Sequence, residues 1–350
     1  VTQPLALAGQ YAVRQRKIAV ATMAAALREW GLLNVADLRA SWSVIGPRLV
    51  TVLTAGQLAA ADGATDYVAE TAAAQGAEAE AADTVNASAF AGVAADGRTL
   101  DTLLMRPLIA AYRTIGQGAS ADEGLRAGRG LLATIVRSEV ADAGRGAVGV
   151  GITGRRTIQG YVRVVQPPAC ARCIILAGVE YGWNKGFQRH PRCDCIHLPT
   201  TLIARNQHRG GLNGDSPTTR FGSSARGVVD PRSYFAGLSR PEQDRVFTAA
   251  GAQAIREGAD MGQIVNARRG MYTITTASGR AVRATREGTT TRGHFYRRER
   301  ARDIARGRVR ADIGRQYRLT TARLLPEQIY ELAGSRDEAI AMLRRFGYLT

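Results

Sequence analysis

Lysine is almost absent from this 350-residue chain; Lys17 and Lys185 are the only two, among 47 basic residues. Histidine and cysteine are equally scarce, at four each. No HExxH stretch and no G-x-S-x-G elbow occurs, which removes the common zinc-protease and α/β-hydrolase signatures. Apolar runs are short and interrupted by Arg or Asp, and none is read as reaching the roughly 18 residues that cross a bilayer. The start, VTQPLALAGQYAVRQRK, lacks the basic-then-apolar pattern of a secretory leader. The expectation is a soluble protein made in the cytoplasm.

What is present is enough apolar residue, 45%, for a packed core and two or three domains. The net charge of +17 is unevenly placed. Residues 1–150 hold 13 basic and 14 acidic side chains, so the whole excess lies beyond residue 150. Such asymmetry favours contact with nucleic acid or an acidic protein surface. The preference for Arg over Lys also follows from codon bias in a GC-rich genome; the asymmetry does not.

Periodicity predicts an α+β protein, predominantly α-helical. A helical N-terminal domain is expected over 1–146. Val20, Met23, Leu27 and Trp30 mark one helix face, with Gly31 as its stop. The run Leu38–Leu58 is expected to kink or divide at Gly46-Pro47. Residues 71–98 read as a weak helix and a flexible loop. Leu100, Leu103, Leu104, Leu108 and Tyr112 form a further stripe, kinked at Pro107. Ser120-Ala-Asp-Glu123 is a capping box, and the helix it opens is expected to end by Gly144 or Gly146.

A small Cys/His module is expected over 147–204, with a strand at Tyr161–Gln166 ended by Pro167-Pro168. Residues 205–237 read as a loop-rich linker. A basic C-terminal region follows over 238–350, with a capped helix from Ser239 to about Gly258. A strand at Met271–Thr276 turning at Ser278-Gly279 suggests a hairpin. A third capping box is read at Ser335–Glu338.

All four cysteines lie within 26 residues: Cys170 and Cys173, then Cys193 and Cys195, with His190 three residues before Cys193. Two short pairs joined by a 16-residue gap are the pattern of a tetrahedral zinc site, because each tight turn presents two ligands to one ion. Five donors compete for four places, and the spacing does not choose among Cys170, Cys173, His190, Cys193 and Cys195. His197 is a weaker candidate. Disulfides or free thiols are the competing readings. The segment is too short to fold alone, so metal binding would supply on the order of 10 kcal/mol of folding energy. A full protein shell and the lack of a placed base favour a structural site over a catalytic one.

Residues 164–199 resemble the MuF-like domain of phage head morphogenesis proteins. The matching positions are Cys170, Cys173, Arg189, His190, Pro191, Cys193 and Cys195. Thinner similarity to minor capsid proteins of actinobacterial phages extends over Ala40–Gln57, Ala267–Gly270, Glu287–Gly293 and Leu325–Tyr330. The resemblance implies a minor head component in the virion, assembled in the host cytoplasm. It further implies contact with the portal protein or the major capsid protein, with packaged double-stranded DNA as a further partner and no membrane during assembly.

Relatives are sometimes described as capsid maturation proteases, but no catalytic residue is assigned here. His208 and His294 are the histidines left for a protease, and His294 with Asp303 the only loose nuclease pair. The candidate DNA-binding residues are Arg292, Arg297, Arg298, Arg300, Arg302, Arg306, Arg308 and Arg310. The alternative for them is a solvated helix pairing internally with Glu299 and Asp303.

Overall fold

A computed structural model describes residues 3–77, 84–186, 190–191, 193, 195–201, 230–275 and 279–349; the side chain of Arg315 is also outside the description. The chain is α+β and mostly helical, with two small three-stranded antiparallel sheets among the described residues. It forms two compact units, one built on Val1–Pro168 with the chain from Ala177, the other on Pro231–Thr350.

The first unit starts with α1 (Gln3–Trp30), α2 (Leu38–Ala61) and α3 (Ala64–Ala73). The face α1 buries is lined by Ala8, Ala12, Ala19 and Ala26, spaced by four or seven, with Trp30 at its end. Val20, assigned to the buried face by sequence, is 44% exposed. Small residues let the helices approach closely, so the large apolar residues are a poor guide to the packed side.

The stretch α2 runs unbroken through Gly46-Pro47, contrary to the alternative of two helices. Pro47 and Ser43 are both exposed, so water can satisfy the carbonyl deprived of its i+4 donor. One stretch, Val35–Ala73, has a mean hydropathy of 1.3 and passes a bilayer-spanning test by length and composition. This corrects the expectation that none would. Within it, Leu38, Ile45, Leu49 and Leu53 are buried in the unit's core.

Helices α4 (Leu100–Gly116) and α5 (Ala121–Thr153) complete the helical layer. The Ser120 capping box forms as expected, its hydroxyl and the Glu123 carboxylate satisfying each other's backbone N–H. The helix α4 continues through Pro107. The helix α5 does not stop at Gly144 or Gly146, and it crosses the expected boundary at residue 146. A Cβ at Gly124, Gly128 or Gly144 would lie 2.6, 2.5 or 2.5 Å from Ile115, Trp30 or Gln15. These glycines are sites of close helix contact, and that packing outweighs their propensity cost of about 1 kcal/mol each.

After α5 come β1 (Gly160–Val164), the single turn α6 (Ala171–Ile174), β2 (Glu180–Gly182) and β3 (Ile196–Thr200), in sheet order β2-β1-β3. Leu5, Tyr11, Tyr67, Val68, Val148 and Ile152 from the helices pack with Tyr161, Val162, Val164, Ile196 and Leu198 from the strands. The Tyr67 hydroxyl donates to the His197 carbonyl at 2.8 Å. The strand module therefore shares its core with the helices and is not held by metal alone.

The second unit carries α7 (Pro231–Gly237), α8 (Arg240–Phe247), α9 (Ala249–Arg256) and α10 (Met261–Ala267). Residues 231–237, read as linker, are helical; the rest of that linker lies outside the described residues up to Asp230. The single helix expected from Ser239 to Gly258 is divided at Thr248, which takes φ 69 and caps α9 by accepting from Gly251 N–H. The hairpin β4 (Met271–Thr275) and β5 (Ala281–Thr285) forms in the expected place; its turn residue Ser278 is outside the description.

Then follow α11 (His294–Ala305), β6 (Arg323–Leu324), α12 (Pro326–Leu332) and α13 (Arg336–Arg345). Ser335 caps α13, but Glu338 reaches back to Gly334 N–H instead of closing a box on Ser335. The core gathers Ile264, Val282, Phe295, Leu325, Ile329, Leu343 and Tyr348. Arg323 is buried inside it. Its guanidinium donates to Phe346 O, Glu287 O and Gln263 Oε1, each at 2.9 Å, and lies over the Tyr348 ring.

Candidate metal centre

Two turns bring the cysteines together. Cys170 precedes α6, and its carbonyl accepts from Cys173 N–H at 3.0 Å and Ile174 N–H at 3.1 Å. That helical turn stacks the two side chains of the C-x2-C pair. The other turn closes with Cys193 N–H donating to His190 O at 3.1 Å, and β3 starts directly after Cys195. Pairing of Arg163 with His197 and Val164 with Ile196 holds the C-x-C end beside β1.

The five residues singled out by spacing form two groups. Cys170, Cys173 and His190 offer ligand atoms within 4.8 Å of one another, and so do Cys173, Cys193 and Cys195. Cys173 belongs to both. Cys173, Cys193 and Cys195 are buried and Cys170 is exposed; none of the four is in a disulfide. His190 Nδ1 lies 2.8 Å from the Pro191 carbonyl. A carbonyl only accepts, so this contact places the ring proton on Nδ1 and leaves the Nε2 lone pair for a ligand. These side chains cluster compatibly with a metal site. His197 joins neither group; its ring stacks on Tyr161 with centroids 4.0 Å apart. Arg189 and Asp194 lie outside the described residues.

Two arginines surround the sulfurs, and neither was selected from sequence. Arg163, 1% exposed at the centre of β1, places Nη2 at 3.4 Å from Cys195 Sγ and 3.7 Å from Cys193 Sγ. Arg145, 6% exposed on α5, donates through Nη1 to Cys193 O at 2.8 Å and Cys195 O at 3.0 Å, and pairs with Asp142. A strand pattern of alternating faces puts Arg163 outward, but every residue of β1 is buried. The available signal was a lone arginine inside Tyr-Val-Arg-Val-Val, whose charge requires an acceptor once buried. The Tyr181 hydroxyl also bonds Arg163, and burial raises its pKa despite that nearby charge.

The remaining candidates are dispersed. Among the described residues, no carboxylate joins either cluster. His208 lies outside the description. His294 starts α11 and Asp303 lies nine residues on, roughly 13 Å along the helix axis. Asp303 accepts from the Tyr317 hydroxyl at 2.8 Å and pairs with Arg308 at 3.6 Å, so the two do not form a nuclease pair. Burial, then Arg298 and Arg297, lowers the His294 pKa.

Of the eight arginines proposed for DNA, several are engaged within the unit. Arg302 pairs with Glu299, Arg308 with Asp303 and Arg310 with Asp312. Arg298 donates to Leu349 O and Arg300 to Ala311 O. Arg292, Arg297 and Arg306 are exposed, with no side-chain hydrogen bond or ion pair among the described residues.

No protein family, curated protein or solved structure matches the chain.

Proposed function

We propose that the chain is a structural minor head protein of a tailed phage, in which a zinc ion bound by the Cys/His cluster fixes the β1–β3 module. The observation that carries the metal reading is the convergence of four cysteines and His190 from two turns, with three of the sulfurs buried. Zinc suits this donor set because thiolate and imidazole ligands at tetrahedral spacing favour it over oxygen-seeking cations. An all-thiolate shell around a dication carries a net charge of about −2. The Arg163 guanidinium beside Cys193 and Cys195 supplies compensating charge and N–H donors to their sulfurs.

A structural role fits better than a catalytic one. Donors exceed the four that a closed shell takes, and the described part of the site supplies no carboxylate base. The head assignment rests on the resemblance of residues 164–199 to MuF-like domains, with the portal or the major capsid protein as the docking partner. Arg292, Arg297 and Arg306 are the side chains best placed to meet packaged DNA.

Elemental mass spectrometry with a thiol titration tests the metal. One zinc per chain and four thiols after chelation and denaturation are expected; absent metal with no titratable thiol would mean disulfides. Proteomics of virions made from the encoding genome tests the location. Absence from the particle, or turnover of scaffold by the purified chain, would remove the structural reading.

A further inference from the structure

We propose that the first unit holds a second site, distinct from the sulfur cluster: a pocket between α1 and α5 for one phosphate-like oxyanion, bound by Tyr11, Arg137 and Arg145. The cavity measures about 30 Å³. That is room for a water or two or a single small anion, and too little for a nucleotide or a peptide.

Three features point to an anion. First, Arg16, Arg137 and Arg145 all line the pocket, and no carboxylate does. Asp142 pairs with Arg145, leaving the other two charges uncompensated by it. Second, the pocket contains buried donors with nothing to donate to. The Tyr11 hydroxyl and Arg145 Nε have no hydrogen-bond partner, although the two residues are only 7% and 6% exposed. Leaving such groups unsatisfied costs about 1–3 kcal/mol each, so a pocket that retains them is built for an acceptor. Third, Arg137 makes no hydrogen bond or ion pair among the described residues, yet it is half-buried on α5.

The donors are also fixed in place. Arg145 is clamped by the Cys193 and Cys195 carbonyls, so its Nε direction is set by the fold. Tyr11 is stacked flat on Tyr67 with ring centroids 4.0 Å apart. Burial raises the Tyr11 pKa, which keeps its hydroxyl a donor through the neutral range. Apolar walls from Ala12, Ala19 and Val148 lower the local dielectric and strengthen each charge-assisted contact. An oxyanion with several acceptor oxygens satisfies donors from both helices at once; a water brings no charge to meet Arg137.

Calorimetry and thermal unfolding of the metal-loaded full chain, in inorganic phosphate against chloride at equal ionic strength, test the pocket. Saturable 1:1 phosphate binding is expected, weakened about tenfold by Arg137→Gln and by Tyr11→Phe. Without phosphate, Tyr11→Phe should leave the melting temperature unchanged or raise it, because it deletes an unsatisfied hydroxyl and keeps the stacked ring. A drop in both buffers would mark the hydroxyl as merely structural and overturn the proposal. So would identical melting in phosphate and chloride, or unchanged binding by Arg137→Gln. Wild-type zinc content in Arg137→Gln separates this result from the fate of the metal centre. A short oligonucleotide without terminal phosphates distinguishes the sources: displacement of phosphate assigns the pocket to a nucleic-acid backbone, and no displacement assigns it to the free anion.

Discussion

Arg163 illustrates how a single side chain ties charge to a sulfur site. Buried cations persist only where acceptors surround them, and two of its neighbours are Cys193 and Cys195 Sγ. Arg163→Met should keep the apolar packing of β1 while weakening zinc binding about 10–100-fold, as loss of an outer-shell partner does. Chelator competition measures this, and unchanged affinity would remove Arg163 from the site. Tyr348 gives a second test at this scale. Its pKa in the folded chain is pushed up to about 12, chiefly by burial. The neutral phenol is therefore favoured by folding. The stability it contributes is whole below pH about 10, the unfolded value, and is lost as pH rises toward about 12. Denaturant midpoints should fall across that window, less steeply in Tyr348→Phe. The cysteines and His190 were legible in the sequence because turn spacing alone dictates their chemistry. Arg163 and Arg145 were not, because their role depends on which strand and helix meet the sulfurs.

Helices were read well at their starts and poorly at their ends. Ser120 and Ser239 announce their helices because a capping box is a local hydrogen-bonding device, complete within four residues. The end of α5 depends on what its glycines touch, which no local pattern contains. Gly128 and Gly130 make a controlled pair. A Cβ at Gly128 would lie 2.5 Å from Trp30 and 2.6 Å from the Pro107 carbonyl, whereas at Gly130 it meets nothing within 4 Å. Gly128→Ala should cost about 2–4 kcal/mol in urea unfolding. Gly130→Ala should gain about 0.5–1 kcal/mol. Equal effects would mean that propensity, not contact, governs α5. Thr248 makes the same point in the second unit: a non-glycine residue at φ 69 divides α8 from α9, against a continuous helical pattern.

Across the whole molecule, the excess of positive charge beyond residue 150 is the feature that sequence conveys directly and structure refines. Internal pairing with Glu299, Asp303 and Asp312 leaves Arg292, Arg297 and Arg306 as the exposed positions for a polyanion. If they contact DNA phosphates, replacing all three with Gln should reduce the slope of log Kobs against log salt by about 3. Replacing Arg302 and Arg308 should change it less. A slope near zero in the unaltered protein would exclude the DNA contact. The coarse class, α+β and mostly helical, was legible from periodicity. The sharing of one core between the helices and the strand module was not, since it joins residues as distant as Leu5 and Leu198.

The clamp that Arg145 places on the Cys193 and Cys195 carbonyls has a kinetic consequence. The backbone of that pair is anchored to a long helix by contacts that involve no ion, so the emptied protein retains a nearly assembled cradle. Uptake of zinc should then resemble filling a waiting socket, fast and without a large change in circular dichroism, and Arg145→Gln should convert it into a slow refolding process.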